Sequence, residues 1–291
     1  MASELTKRVA VAAIGIPLAV LVVYIGGWLL AVILAAIAAG GAVELYRLAR
    51  KHGVRPLTLP GAALAAALVP LPLLVARPEG VAFPVFVAAS LAIAAAAIFL
   101  RGVAGSPLAV TAITAFGALL TGGTLMYAVM LRRLPVTGTN IEWSDWVGPA
   151  LVAFPITLTW LGDTFAYFGG RRFGRRKLIP AVSPGKTVEG ALSSVLGTVL
   201  VGAGYAHFVF GMWLGVPLDA VAGALIGLVI SPVAQVGDLA ESLLKREAGV
   251  KDSGALLPGH GGVLDRFDAL FFTIPVMYWL LLVALPGVGA R

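Results

Sequence analysis

Long apolar runs alternate with short polar interruptions along most of this chain. A membrane-crossing helix needs about 20 mostly apolar residues in a row. That ruler predicts nine helices, at 9–25, 28–46, 57–75, 81–100, 108–131, 148–170, 188–213, 218–237 and 267–286. Pro17, Pro70, Pro72 and Pro155 fall inside or near the ends of these runs. They predict kinks, because neighbouring helices can re-satisfy the carbonyls that a proline frees. Met1 to Arg8 and the apolar run behind them look like a signal peptide, but further spans follow directly, so an uncleaved first helix is expected. The expected fold is an all-α, polytopic integral membrane helix bundle.

Composition sharpens that reading. Of 291 residues, 59% are hydrophobic and 12% charged, against roughly 25% charged in a soluble domain. A soluble enzyme, a disordered chain and a collagen-like fibre are excluded. There is no cysteine, hence no disulfide, zinc–thiolate site or cysteine nucleophile. The 21 basic and 14 acidic residues leave a formal charge of +7. In a membrane protein such basic loops report orientation first and attraction to anionic lipid or nucleotide second, so no nucleic-acid partner is expected.

With the N-terminus in the cytoplasm and nine alternating spans, the inner segments hold Lys7, Arg8, Arg47, Arg50, Lys51, Arg55, Arg101, Arg171, Arg172, Arg175, Arg176, Lys177, Lys186, Lys245, Arg246, Lys251 and Arg266. The outer segments hold only Arg77, Arg132, Arg133 and Arg291. That asymmetry supports a cytoplasmic N-terminus. Residues 1–150 read as helices for packing, dimerisation or lipid access. Residues 151–291 read as the catalytic region, with cytoplasmic loops 171–187 and 238–266, because most of the acids lie from Asp163 onward.

Gly185-Lys186-Thr187 imitates the end of a phosphate-binding Walker loop, but position 180 is Pro where that loop needs glycine, and no nucleoside-triphosphatase core surrounds it. The segment Ser183–Gly190 still leads straight into an apolar helix that Thr187 can cap, and N–H groups at a helix start favour phosphate. A capped helix behind a topogenic basic loop is the competing reading. On the segment that follows Asp238, apolar residues at 239, 240, 243 and 244 leave Asp238, Glu241, Ser242 and Lys245 on the opposite helix face. Gly259, Gly261 and Gly262 around His260 allow a backbone to approach a ligand closely. Asp265 and Asp268, three apart at the start of the last span, are expected to face one way. With Asp238 they make a candidate site for a divalent cation, and oxygen-only ligands suit Mg²⁺. A helix-start charge pattern, with Asp265 capping and Arg266 snorkelling, is the alternative. Asp163 lies in an apolar run, where an ionisable group is functional by default. His52 and His207 read as topological or packing residues. Gly211/Gly215 and Gly223/Gly227 have the spacing of close helix packing.

The string from Ser242 through Lys245-Arg246, Lys251-Asp252-Ser253-Gly254, Leu257-Pro258-Gly259-His260-Gly261-Gly262 to Asp265-Arg266-Phe267-Asp268 resembles the signature of phosphatidate cytidylyltransferases (CDP-diacylglycerol synthases). Gly169–Gly174 and Ser183–Gly190 are similar to that family as well. The motif-bearing resemblance covers about residues 160–270, and the first 150 match only in hydropathy and span number. One departure is Gly185, where the family commonly has Lys, so Lys186 acts there alone.

The resemblance implies transfer of the cytidylyl group of CTP to phosphatidate, with Mg²⁺ and a monovalent cation such as K⁺ as cofactors. It implies a multi-pass enzyme of a bacterial-type inner membrane, facing the cytoplasm, with CTP, phosphatidate and membrane lipids as partners and a homodimer expected. In that frame Asp238, Asp265 and Asp268 hold metal, and Lys245, Arg246 and Lys251 neutralise the triphosphate beside Asp252. The 259–262 backbone cradles phosphate oxygens, with His260 a donor and not a base. Asp163, Ser183, Lys186 and Thr187 complete the pocket, and Arg171, Arg172 and Arg175 draw in the lipid head group. The alternatives are a CTP-dependent lipid-alcohol kinase, a CDP-archaeol-type synthase and, in another class, a secondary transporter.

Overall fold

The computed structural model describes residues 2–75, 78–140, 142, 144–254 and 261–285. In chain order the helices are α1 (Ala2–Ile25), α2 (Gly27–Lys51), α3 (Thr58–Leu68), α4 (Leu71–Leu74), α5 (Pro78–Arg101), α6 (Pro107–Ala118), α7 (Thr124–Arg132), α8 (Ser144–Phe173), α9 (Val188–Gly204), α10 (Ala220–Glu247), α11 (Leu264–Phe267) and α12 (Leu270–Ala284). Between α8 and α9 runs one antiparallel hairpin, β1 (Lys177–Ile179) and β2 (Ser183–Thr187).

Among the described residues, seven helical segments are long and apolar enough to cross a membrane: Gly27–Lys51, Phe83–Arg101, Pro107–Arg132, Ser144–Phe173, Val188–Leu214, Ala220–Glu247 and Leu264–Ala284. They coincide with seven of the nine expected spans. The other two are shorter apolar helices, Gly15–Ile25 and Thr58–Leu68. The third expected span is cut short because α3 stops at Leu68 and α4 restarts at Leu71, with Pro70 and Pro72 at the junction. The fifth and seventh spans stay continuous through π-helical turns at Leu119–Gly123 and Tyr205–Leu214. The protein is a multi-pass membrane helix bundle.

The chain forms two compact units. One comprises Met1–Val129 and Leu244–Phe267, and the other Met130–Leu243 and Asp268–Arg291. In the first unit α2 packs on α3 and α6. Tyr46 of α2 is fully buried, and its hydroxyl donates to the Thr114 carbonyl of α6 at 2.6 Å. A Cβ on Gly61 or Gly117 would run into the Tyr46 ring, so α3 and α6 close on it through bare backbone. Lipid tails give apolar helices no hydrophobic reason to associate, and such small-residue contacts supply the packing instead.

In the second unit α8 lies along α9. Gly223 and Gly227 of α10 stand against the backbone of Gly202 and Thr198 on α9, where a Cβ would strike the carbonyls. This is the close packing that their spacing predicts. Gly211 and Gly215 share the spacing but not the role. Gly215 sits at φ +67° and ends the π-helix, while a Cβ on Gly211 would meet only Ala206 O of its own turn. Polar groups in this unit pair with one another, as Ser231 Oγ does with Ser194 Oγ at 3.1 Å.

Candidate active site: two lysine–carboxylate clusters

The polar face expected on α10 is the inward one. Glu241 is buried and Asp238, Ser242 and Lys245 are half-buried, whereas Val236 and Leu243 are exposed. A membrane helix turns its polar residues toward protein and its apolar residues toward lipid.

In the second unit, Lys186 at the end of β2 forms an ion pair with Asp238 of α10. Ser242 Oγ lies 3.4 Å from the other oxygen of Asp238. Asp163 of α8 feels the charges of both Asp238 and Lys186. The backbone sets these positions. Thr187 caps α9, its hydroxyl accepting from Gly190 N at 3.1 Å, which satisfies one of the four N–H groups a helix start leaves open. Glu189, in the first turn of α9, accepts the backbone N–H of Arg175 at 2.9 Å and of Arg176 at 3.2 Å. Lys177 Nζ donates to the Pro184 carbonyl at 2.8 Å. The expected loop 183–187 is therefore strand β2, with Ser183 opposite Ile179 and Thr187 opposite Lys177. Arg171 and Arg172 in the last turn of α8 and Arg175 just after it are exposed, and Arg171 Nη1 donates to the Tyr167 hydroxyl at 3.3 Å.

In the first unit, Lys245 Nζ lies 2.7 Å from Asp265 Oδ1, with side chains only 13% and 10% exposed. The other oxygen, Oδ2, accepts Ser253 N at 3.0 Å, Ser253 Oγ at 2.9 Å and Gly262 N at 2.8 Å. Gly261 adopts φ +77°, and a Cβ there would lie 2.7 Å from Asp265 Oδ2. Gly261 and Gly262 thus serve the loop's own closure around Asp265, and the Gly262 N–H is engaged by that carboxylate. Arg246 Nη1 donates to Val250 O at 3.3 Å, and Lys251 and Asp252 are exposed. Gly259 and His260 lie outside the described residues.

Two expectations need correction. Asp265 and Asp268 do not stand on one uninterrupted helix: α11 ends at Phe267, and Asp268 turns its Oδ1 to its neighbour's Ala269 N at 2.6 Å before α12 begins. Among the described residues, moreover, no three His, Asp or Glu side chains gather as a ready-made ion cage. Mg²⁺ commonly takes only one or two carboxylates, with substrate phosphates and water as the rest, so hard oxygen donors such as Asp238 and Asp265 still fit it chemically.

One residue of the first unit has no place in the sequence reading. Glu44 of α2, 3% exposed, accepts Val263 N at 3.0 Å, Leu264 N at 2.9 Å and Ser253 Oγ at 3.0 Å. The signal for it was available, since a carboxylate within an apolar run marks function at Asp163 and does so equally here. His52, read as packing, joins α2 to the Glu247 carbonyl through Nε2.

A sequence model of the Cytidylyltransferase family matches residues 6–284. A relative from Synechocystis sp., named phosphatidate cytidylyltransferase, is 35% identical over 303 aligned positions, covering 97% of this chain and 98% of its own. Relatives of the same name from Bacillus subtilis (37% identical over 56% of this chain and 55% of theirs) and Staphylococcus epidermidis (42% over 46% and 50%) align over about half of each protein. Cytidylyltransferases are in general metal-dependent. Matched over residues 6–284 by the family model and over 97% of its length by a relative, the chain belongs to the Cytidylyltransferase family.

Proposed function

We propose that this protein transfers the cytidylyl group of CTP to phosphatidate, giving CDP-diacylglycerol and pyrophosphate, at the cytoplasmic face of a bacterial inner membrane. The observation that carries the reading is the pair of half-buried lysines, each held against a carboxylate by a segment of the signature or of the Ser183–Gly190 block: Lys186 on Asp238 and Lys245 on Asp265.

An oxygen of the lipid phosphate attacks the α-phosphorus of CTP, the new P–O bond forms, and the bond from that phosphorus to the bridging β-oxygen breaks as pyrophosphate leaves. A phosphate monoester has its second pKa near 6, so the nucleophile is already ionised at pH 7 and needs no side-chain base. The protein's task is to collect anions and stabilise charge on the leaving group. Lys186 and Lys245 are suited to it, because each can exchange a carboxylate partner for a phosphate oxygen as substrate enters. Arg246 and Lys251 add positive charge on the leaving side, and exposed Arg171, Arg172 and Arg175 attract anionic lipid. The reading includes a monovalent ion such as K⁺, and Asp265 in the first unit and Asp238 and Asp268 in the second are the oxygen donors that would serve Mg²⁺. When bound, that ion supplies neutralisation of the phosphate charges. The reading includes a cytoplasmic N-terminus and a homodimer.

Purified protein given phosphatidate and CTP labelled at either the α- or the γ-phosphorus, with and without Mg²⁺, tests this directly. Label entering the lipid from the α-position supports the reading. Label entering from the γ-position reassigns the protein as a lipid kinase, and transfer from neither removes the enzyme assignment.

A further inference from the structure

The buried carboxylate of Glu44 has partners of a particular kind. Ser253, Val263 and Leu264 all donate to it from the segment that carries Asp265, 209 to 220 residues further along the chain. Two of them, Val263 N and Leu264 N, are the N–H groups at the start of α11, which helix geometry leaves without an internal acceptor. The third, the Ser253 hydroxyl, bridges Glu44 Oε2 and Asp265 Oδ2 at 3.0 and 2.9 Å. A hydroxyl has one proton and an ionised carboxylate only accepts, so Ser253 shares its single donor between the two carboxylates and stands at the joint where both close on the loop. The glycines agree: a Cβ on Gly254 would lie 2.5 Å from Glu44 Oε1, and one on Gly262 would collide with Glu44 Oε2. The signature loop is bare where Glu44 enters it. Anchoring α2 to its helical neighbours needs none of this, because Tyr46 already does so two residues on.

We propose that Glu44 is a positioning residue for cytidylyl transfer, fixing the start of α11 and Ser253 so that Asp265 and its Lys245 partner meet the substrates in one orientation. The inference rests on the proposed reaction for its kinetic consequence, but its geometric premise stands apart from it. The side chain must accept at both oxygens. Glu44→Gln keeps the size but offers one acceptor, and its amide NH₂ must face either Val263 N–H or Leu264 N–H. Glu44→Asp keeps both acceptors on a shorter arm.

The experiment uses the full-length protein in detergent, with amide hydrogen exchange, thermal unfolding and steady-state kinetics at varied Mg²⁺ run on the same preparations. In Glu44→Gln, exchange at Val263 and Leu264 is expected to accelerate. Its kcat is expected to fall about tenfold or more, as misplacement of a catalytic group does, with KM for phosphatidate within about twofold. The Mg²⁺ concentration for half-maximal rate is expected to rise, and Glu44→Asp to recover part of the kcat. A purely structural role would lower the melting temperature and the active fraction but leave the Mg²⁺ dependence of the surviving enzyme unchanged. Unchanged exchange at 263–264, or faster exchange with unchanged kcat and Mg²⁺ dependence, overturns the proposal. Should neither Glu44 variant fold, Ser253→Ala removes only the joint, and wild-type kinetics there overturn it equally. If wild-type protein transfers no cytidylyl group while the exchange result holds, the reaction has failed and the clamp has not.

Discussion

At the scale of single residues, what the two clusters share is a lysine whose charge is already matched before any substrate arrives. Removing one partner leaves the other partly buried and unmatched, which costs more than the pair contributes. Asp265→Asn is expected to lower kcat/KM about 100-fold or more, in the range seen when a preorganised electrostatic contact is lost, with Mg²⁺ no longer restoring the rate in a titration. Lys186→Ala is expected to raise KM for one or both substrates, and a normal KM for both would clear Lys186 of a binding role. Gly262→Ala places a methyl against Glu44 and Ser253, and an overpacked site of this kind costs about 1–3 kcal/mol, measurable as a lower melting temperature. Thr187 was legible in the sequence as a cap because a cap needs only its own helix start. The Lys186–Asp238 pair spans 52 residues and the Glu44 contacts more than 200, and no local pattern records which distant groups meet.

At the scale of elements, the helices were the legible part, because a run of apolar residues in lipid has to satisfy its own backbone. Breaks were less so. Pro155 leaves α8 continuous, while Pro70 and Pro72 mark the gap between α3 and α4, and what differs is the company each proline keeps. The hairpin β1–β2 was not legible, since Ser183-Pro184-Gly185-Lys186-Thr187 has no apolar alternation and only Thr187 among residues that favour strands. Its backbone is held instead from outside, by Glu189 on Arg175 and Arg176. Glu189→Ala is therefore expected to loosen 175–187, read as faster amide exchange there and a higher KM, with little change in α8 and α9. In the same unit, Gly227→Val would force α9 and α10 apart at Thr198 and should lower both melting temperature and yield of folded protein.

At the scale of the whole molecule, the proposed orientation rests on the charge asymmetry of the loops. The chain has no cysteine, so a single introduced thiol reports its side of the membrane without background. Gly185→Cys, in open space, should react with an impermeant maleimide only after the membrane is opened. Exposed Thr137→Cys should react in intact spheroplasts. The reverse result would invert the topology and move the proposed site to the other face.

The first unit is assembled from two stretches that lie far apart in the chain, Met1–Val129 and Leu244–Phe267. On the ribosome, α2 therefore enters the bilayer with its carboxylate well before Ser253, Val263 and Leu264 have been translated. Glu44 lies seven residues before the end of α2, away from the helix centre where a charged side chain costs about 2.5–3.5 kcal/mol on insertion scales, and it waits there without its later partners during synthesis. The helix is inserted in a state it will not keep, and the last fifth of the nascent chain relieves it. On the proposed role of Glu44, a polypeptide truncated before α11 is expected to remain in the membrane without the ability to turn over substrate.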